Sequence, residues 1–268
     1  MAAPPVDREL LDCALSVARQ GGDLAAERFF AADFRTSVKA DGTEVTDADL
    51  AVEDLIRAGL QRHCPADGFY GEETGAAAGS SGRRWIADPI DGTLYFAHRI
   101  PLFRTLLAYE DEHGPAIGIM YRPVGQQMIF AGRGLGCWLR LGGGPDQPPV
   151  LRPRTSLREV RAELVNPGSW HPGLLLALHR SVTTTGYLGG FGSLLTGLLD
   201  AVVIAGFPMG YEDLAPLPVI MAEAGGRVTD LAGGPVLTGP GTALVSTGHR
   251  HAELLSLVAG LPHGQQQA

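Results

Sequence analysis

Asp88 and Asp91 are separated by Pro89 and Ile90 and followed by Gly92 and Thr93, inside the stretch WIADPIDGTLYFAHRIPLF at residues 85–103. Proline fixes its own φ and biases the preceding residue toward an extended conformation, so both carboxylates can project from one strand-to-helix corner. Such a corner suits a hard cation. Mg²⁺ takes oxygen ligands near octahedral geometry and keeps positions for water and substrate phosphate, a need that two clustered carboxylates and the Ile90 carbonyl meet. Gly92 and Thr93 can open a helix whose first N–H groups face a bound anion. The same hexapeptide also has the composition of an ordinary turn, and alone it does not separate the two readings.

Other elements must bring partners to this corner. Over residues 6–30, Leu11, Leu15, Ala18, Ala25 and Phe29 recur at helical intervals, which predicts a helix despite Gly21 and Gly22. A polar segment then carries Lys39, followed by the turn dipeptide Asp41-Gly42. Lys39 reads either as a solvated surface residue or as a phosphate contact. Thr46-Asp47-Ala48-Asp49 has the form of a capping box, and Val52, Leu55, Ile56, Gly59 and Leu60 keep helical spacing, so a second helix runs from Thr46 to about His63. Asp49 thereby has a structural reading as a helix cap. Residues 69–73 read as a strand ending in Glu72 and Glu73, and strand alternation sends these to opposite faces, leaving only one to face the Asp88/Asp91 corner. Residues 74–83, TGAAAGSSGR, read as a mobile loop before a strand at 84–87.

Strand character at 104–109, 115–122, 127–131 and 137–141, with turn-length separators, predicts an antiparallel meander. The Gly/Pro-rich stretch 142–153 is the candidate boundary between an α+β half, residues 1–145, and a smaller α/β half, residues 146–268. In the second half the pattern predicts strands at 161–165, 201–205, 227–229 and 243–246, and helices at 173–179, 192–199, 212–224 and 249–259.

The 268 residues are 45 % apolar, enough for a large core, and the net charge is −8 from 21 basic and 29 acidic residues. That field has the wrong sign for a nucleic-acid polymer, so attraction for a phosphate must be local. Cys13, Cys64 and Cys137 are odd in number and far apart, and read as buried small hydrophobes. No stretch approaches 18 uninterrupted apolar residues, and MAAPPVDREL has no signal-peptide pattern, so no membrane span and a soluble cytoplasmic protein are expected. MAAPP and the tail HGQQQA read as frayed ends. Gly189, Gly190 and Gly192 do not complete a dinucleotide fingerprint, Ser193 lacks a nucleophile-elbow frame, and His249 and His251 at i, i+2 point apart on a helix and read as solvated.

Three separated patterns share one chemical need: Gly71-Glu72-Glu73 at a strand end, Asp88-Pro-Ile-Asp91-Gly-Thr93 at a corner, and Glu212-Asp213-Leu214-Ala215 leading to Glu223-Ala224-Gly225-Gly226. Together they resemble the inositol monophosphatase family of metal-dependent phosphatases, and the likeness extends over nearly the whole chain. It implies an α+β and α/β layered sandwich of the inositol monophosphatase and fructose-bisphosphatase kind, with two or three Mg²⁺ per site. Glu72, Asp88 and the Ile90 carbonyl would hold one ion, Asp88, Asp91 and Asp213 a second, with a weaker third near Glu72. Thr93 and Asp49 would orient the attacking water, with Glu72 in the catalytic group. Gly92, Thr93, Lys39, Tyr187 and Asp213 are the expected phosphate and substrate contacts. Four carboxylates in one site repel one another unless cations neutralise them, which independently favours metals.

The chain departs from the family pattern at Tyr95 (Asn in the family), Glu212 (Trp), Gly186-Tyr187 (Gly-Ser) and near Ile204, the region where inositol-cleaving members carry a glutamate, with a longer loop at 206–211. The expected activity is hydrolysis of a small sugar, cyclitol or amino-alcohol phosphate. Histidinol phosphate, a nucleotide 3′-phosphate, or non-catalytic binding of a phosphorylated ligand are the alternatives. A homodimer is expected.

Overall fold

The first apolar stripe becomes helix α1, Arg8–Ala31, opened by Asp7, whose carboxylate accepts the Glu9 N–H at 2.8 Å. Helix α2, Asp47–His63, lies against it. The glycines inside α1 serve that packing: a Cβ at Gly21 would come within 2.8 Å of Ile56, and one at Gly22 within 2.4 Å of Tyr121. The computed structural model describes residues 3–39 and 42–264. Asp41 of the expected turn, the first two residues and the last four of the HGQQQA tail lie outside the described residues. The chain divides into two units between Gln147 and Pro148.

In the first unit a short hairpin, β1 (Thr36–Val38) and β2 (Glu44–Thr46), precedes α2. Its exposed first strand has no apolar alternation, so the sequence pattern did not show it. The main sheet then follows as β3 (Gly68–Gly71), β4 (Gly75–Ala77), β5 (Arg84–Asp91), β6 (Arg104–Asp111), β7 (Gly114–Arg122), β8 (Gln127–Gly132) and β9 (Gly136–Leu141), with helix α3 (Thr93–Ala97) between β5 and β6. Spatial order is β4-β3-β5-β6-β7-β8-β9, and β6 to β9 form the antiparallel meander. Part of the segment expected as a mobile loop is β4, an edge strand that pairs with β3. Helices α1 and α2 pack against the sheet, and Trp85, Phe96, Phe103, Ile117 and Phe130 are core side chains beneath them.

The second unit contains β10 (Arg161–Val165), α4 (Pro172–Ser181), β11 (Thr183–Thr185), α5 (Phe191–Leu195), β12 (Ala201–Ile204), α6 (Tyr211–Leu214), α7 (Leu217–Ala224), β13 (Arg227–Thr229), β14 (Ala243–Ser246) and α8 (His251–Val258). Its sheet order is β11-β10-β12-β14-β13, parallel on the β11 side and antiparallel toward β13. A separate core gathers Trp170, Leu174, Val203, Leu244 and Leu254. The helix expected at 212–224 is two pieces, because Pro216 has no N–H to continue the ladder.

Several smaller expectations are corrected. His251 is buried, not solvated, with its ring bonded to the hydroxyls of Ser246 (2.8 Å) and Thr229 (3.0 Å), whereas His249 is exposed. Cys13 and Cys64 are only partly buried, and all three cysteines are free thiols. The described ends are tied down: Arg133 donates to the Pro4 carbonyl at 2.8 Å, and His171 N–H donates to the His263 carbonyl at 3.1 Å. No helix among the described residues is long and apolar enough to cross a membrane.

Candidate active site

Asp88 pairs with Leu106 and Asp91 with Arg104, so β5 carries one residue more than β6 over this interval, a β-bulge. Residues three apart in a regular strand face opposite ways, and the extra residue returns both carboxylates to one side. An oxygen of Asp88 and an oxygen of Asp91 lie within 4.8 Å of each other. Buried Thr105 pins the bulge by donating its hydroxyl to the Pro89 carbonyl at 2.9 Å. Gly92, at φ 95°, makes the left-handed turn into α3 that a side chain would oppose. Asp88 is 2 % exposed, while Asp91 forms a 2.5 Å ion pair with Arg104.

Strand β3 delivers Glu72. The parallel register sets Gly71 beside Ala87, and Glu72 N–H donates to the Ala87 carbonyl at 3.1 Å, so Glu72 leaves the ladder directly after the last paired residue. The expected split of the two glutamates is not found. Lys39 Nζ lies 2.9 Å from Glu72 Oε1 and 2.8 Å from Glu73 Oε1, so both carboxylates converge on one half-buried ammonium. Alternation fails because β3 stops at Gly71 and the chain turns. Glu53 of α2 fixes that turn: its fully buried carboxylate accepts the N–H of Glu73 (2.9 Å), the N–H of Thr74 (3.2 Å), the Thr74 hydroxyl and Arg57 Nη2 (2.9 Å). A Cβ on Gly71 would sit 2.3 Å from the Glu53 carboxyl carbon, so any side chain here must displace that carboxylate.

Burial carries the Glu73 carboxyl up to about 7, against the opposing hydrogen bond from Lys39. Burial disfavours the charge on Lys39, but the hydrogen bonds to Glu73 and Glu72 outweigh it and raise the ammonium above its ordinary value. Lys39 is thus no solvated surface lysine.

Asp49 caps α2 and also reaches Thr93. Its Oδ2 accepts the Thr46 N–H at 2.8 Å and the Thr46 hydroxyl at 2.5 Å, closing the start of α2, while its Oδ1 faces the Thr93 hydroxyl at 3.1 Å. Thr93 Oγ1 is also 3.0 Å from the Ile90 carbonyl. One hydroxyl proton must serve two acceptors. Burial pushes the Asp49 carboxyl above the usual range, although the bonds from Thr46 and Thr93 oppose that.

In the second unit Asp213 lies on the four-residue α6 and accepts the Gly210 N–H at 2.8 Å. Tyr187 is exposed on the loop after β11, and that loop is held by buried Glu163, which accepts the N–H groups of Leu188 (2.7 Å) and Gly190 (3.0 Å). Ile204 is buried at the end of β12. Sequence reasoning missed Glu53, Arg104 and Glu163. Glu53 could have been found as an acid on the apolar stripe of α2, three residues before Ile56 and seven before Leu60.

A sequence profile of the inositol monophosphatase family matches residues 7–262. The chain belongs to the inositol monophosphatase family. It is 35 % identical over 250 residues to a histidinol-phosphatase of Mycobacterium tuberculosis, covering 91 % of this chain and 95 % of that one. It is 33 % identical over 213 residues to an inositol-1-monophosphatase of Mesorhizobium japonicum, covering 75 % and 77 %. Among solved structures, the extragenic suppressor protein suhB from Bartonella henselae shares the fold with a TM-score of 0.81 at 23 % identity, over 94 % of this chain and 99 % of that one. As an inositol monophosphatase family member the chain is a hydrolase of phosphoric monoesters. Its bulged corner fits the metal dependence of the family, because Asp88, Asp91 and the Ile90 carbonyl offer only hard oxygen donors.

Proposed function

We propose that this chain is a Mg²⁺-dependent phosphatase whose preferred substrate is a small amino-alcohol phosphate of the histidinol phosphate type. The observation that carries the metal reading is the bulge that returns Asp88 and Asp91 to one side of β5. Glu72, Asp88, Asp91, Asp213 and the Ile90 carbonyl are its ligands in this reading, for two or three ions. Bound there, Mg²⁺ supplies Lewis acidity toward the phosphoryl oxygens and lowers the pKa of water. The protein's share is orientation. Thr46 holds Asp49, Asp49 aims the Thr93 hydroxyl, and that hydroxyl, free to pivot between Asp49 and Ile90, directs the attacking water. Lys39, with Gly92 and Thr93, receives the phosphate.

The substrate reading rests on two things. The histidinol-phosphatase relative is matched over a larger share of this chain than the inositol-1-monophosphatase. Tyr187 and Leu188, 44 % and 53 % exposed, are apolar surface of the kind that suits an imidazole better than a polyol. The test is phosphate release from histidinol phosphate, inositol 1-phosphate, sugar phosphates and nucleotide 3′-phosphates, with Mg²⁺ and with EDTA, for the wild type and Asp88→Asn. Histidinol phosphate should be turned over best, and chelation or Asp88→Asn should lower the rate about a hundredfold or more. Full activity in EDTA rejects the metal reading, and a preference for another ester rejects the substrate.

A further inference from the structure

Arg104 is a cation built into the acidic corner. It stands opposite Asp91 in the β5–β6 register, and its Nε lies 2.5 Å from Asp91 Oδ2, with both side chains about one-fifth exposed. Its backbone position is fixed on both sides. Phe103 is a core residue, and Thr105 is buried and bonded to the Pro89 carbonyl, so strand alternation sends Arg104 to the other face, toward Asp91. The bulge that joins Asp88 and Asp91 thus also delivers Asp91 to a guanidinium. Lys39 makes a comparable pairing with Glu72 and Glu73, but from the segment that follows β1, outside the main sheet.

We propose that Arg104 is a positioning residue that shares Asp91 with the divalent cation: it fixes Oδ2, leaves the other oxygen as ligand, and weakens the ion held between Asp88 and Asp91. This rests on the reading of that pair as metal ligands. A guanidinium touching one carboxylate oxygen repels a divalent ion on the other, and at such separations repulsion outweighs the gain from holding the carboxylate still. The site therefore works with one loosely held ion, whose occupancy follows the free cation concentration.

The readout is calorimetric titration of the metal-free full chain with Mg²⁺ and with Mn²⁺. Arg104→Gln and Arg104→Met, two neutral side chains of different shape, should each tighten the weakest site at least about tenfold, while Arg104→Lys stays within about threefold. Thermal melting of each metal-free variant verifies the fold, and two neutral variants let one decide should the other misfold. Unchanged or weaker binding in the neutral variants, with normal binding by the wild type, overturns the role of Arg104 and leaves the metal reading standing. A wild type that takes up neither ion at millimolar concentration, with Asp88→Asn indistinguishable from it, overturns both.

Discussion

Each unit contains one buried glutamate that grips backbone N–H groups of an irregular segment, and the two segments differ in what they carry. Glu53 holds the turn with Glu72 and Glu73, both paired to Lys39. Glu163 holds the loop with Tyr187 and Leu188, both exposed. An ionised carboxylate can accept several N–H donors at once, so one buried acid can fix a turn that has no ladder of its own. The device is the same, but the first unit uses it to fix charge and the second to fix apolar surface. The chemistry should accordingly be brittle toward changes in the segment that Glu53 holds, and substrate preference soft toward changes in the segment that Glu163 holds.

The largest expected effect comes from filling the space that Glu53 needs. Gly71→Ala puts a Cβ 2.3 Å from the Glu53 carboxyl carbon, and this buried carboxylate can yield only by giving up its bonds to Glu73, Thr74 and Arg57. A loss on the order of 3 kcal/mol in unfolding free energy is expected, together with much weaker Mg²⁺ binding. Urea unfolding and metal titration of the variant check both. A fully stable Gly71→Ala would mean that the turn is not clamped.

The paired substitutions Glu53→Gln and Glu163→Gln test the comparison itself. Each replaces an acceptor oxygen with an amide facing N–H donors, so each should cost about 2 to 3 kcal/mol. Their kinetic signatures should part. Glu53→Gln should raise the Mg²⁺ concentration needed for half-maximal rate, whereas Glu163→Gln should raise KM and leave the metal requirement alone. Identical signatures would erase the distinction between the units.

Acid should strain the second unit. His251 is 1 % exposed, and burial, aided by the charge of Arg227, lowers its pKa to about 4. With an unfolded value near 6.5, the unfolded chain takes up the proton first, so stability present above pH 6.5 is lost as pH falls toward 4. Between pH 7 and pH 5 the loss should be roughly 2 kcal/mol. Urea unfolding at both pH values should register it, and His251→Gln should flatten the slope.

The difference between the units also governs what was legible in the sequence. Asp88, Pro89, Asp91 and Gly92 announce a corner through proline and glycine geometry, and the capping box announces Asp49, because these signals are local. The Glu72/Glu73 arrangement was misread because alternation was carried past the end of β3, where a side chain from α2 takes control. Arg104 and Glu163 were invisible for a related reason. Their meaning comes from the partner across the sheet or the loop, which a periodic pattern does not contain. In the second unit most strands were visible, but β11 was not, since Thr183, Thr184 and Thr185 show no apolar alternation.

The smallest effect, and the one that most sharpens the contrast, concerns Tyr187. If the second unit shapes substrate choice through apolar surface, removing the ring should weaken a substrate that packs on it and spare one that does not. An aromatic contact contributes about 0.5 to 1.5 kcal/mol beyond its area, so Tyr187→Ala should lower kcat/KM for histidinol phosphate roughly two- to twelvefold. Inositol 1-phosphate should already be a poor substrate of the wild type if Ile204 stands where inositol-cleaving members carry their glutamate, since the ring hydroxyls then lose a charge-assisted hydrogen bond of about 1.5 to 3 kcal/mol. Its residual turnover should change less than twofold with Tyr187→Ala. Steady-state kinetics on both esters decide the matter. A variant that loses both activities in equal measure would place Tyr187 among the groups that hold the phosphate, and its loop would then serve more than substrate choice.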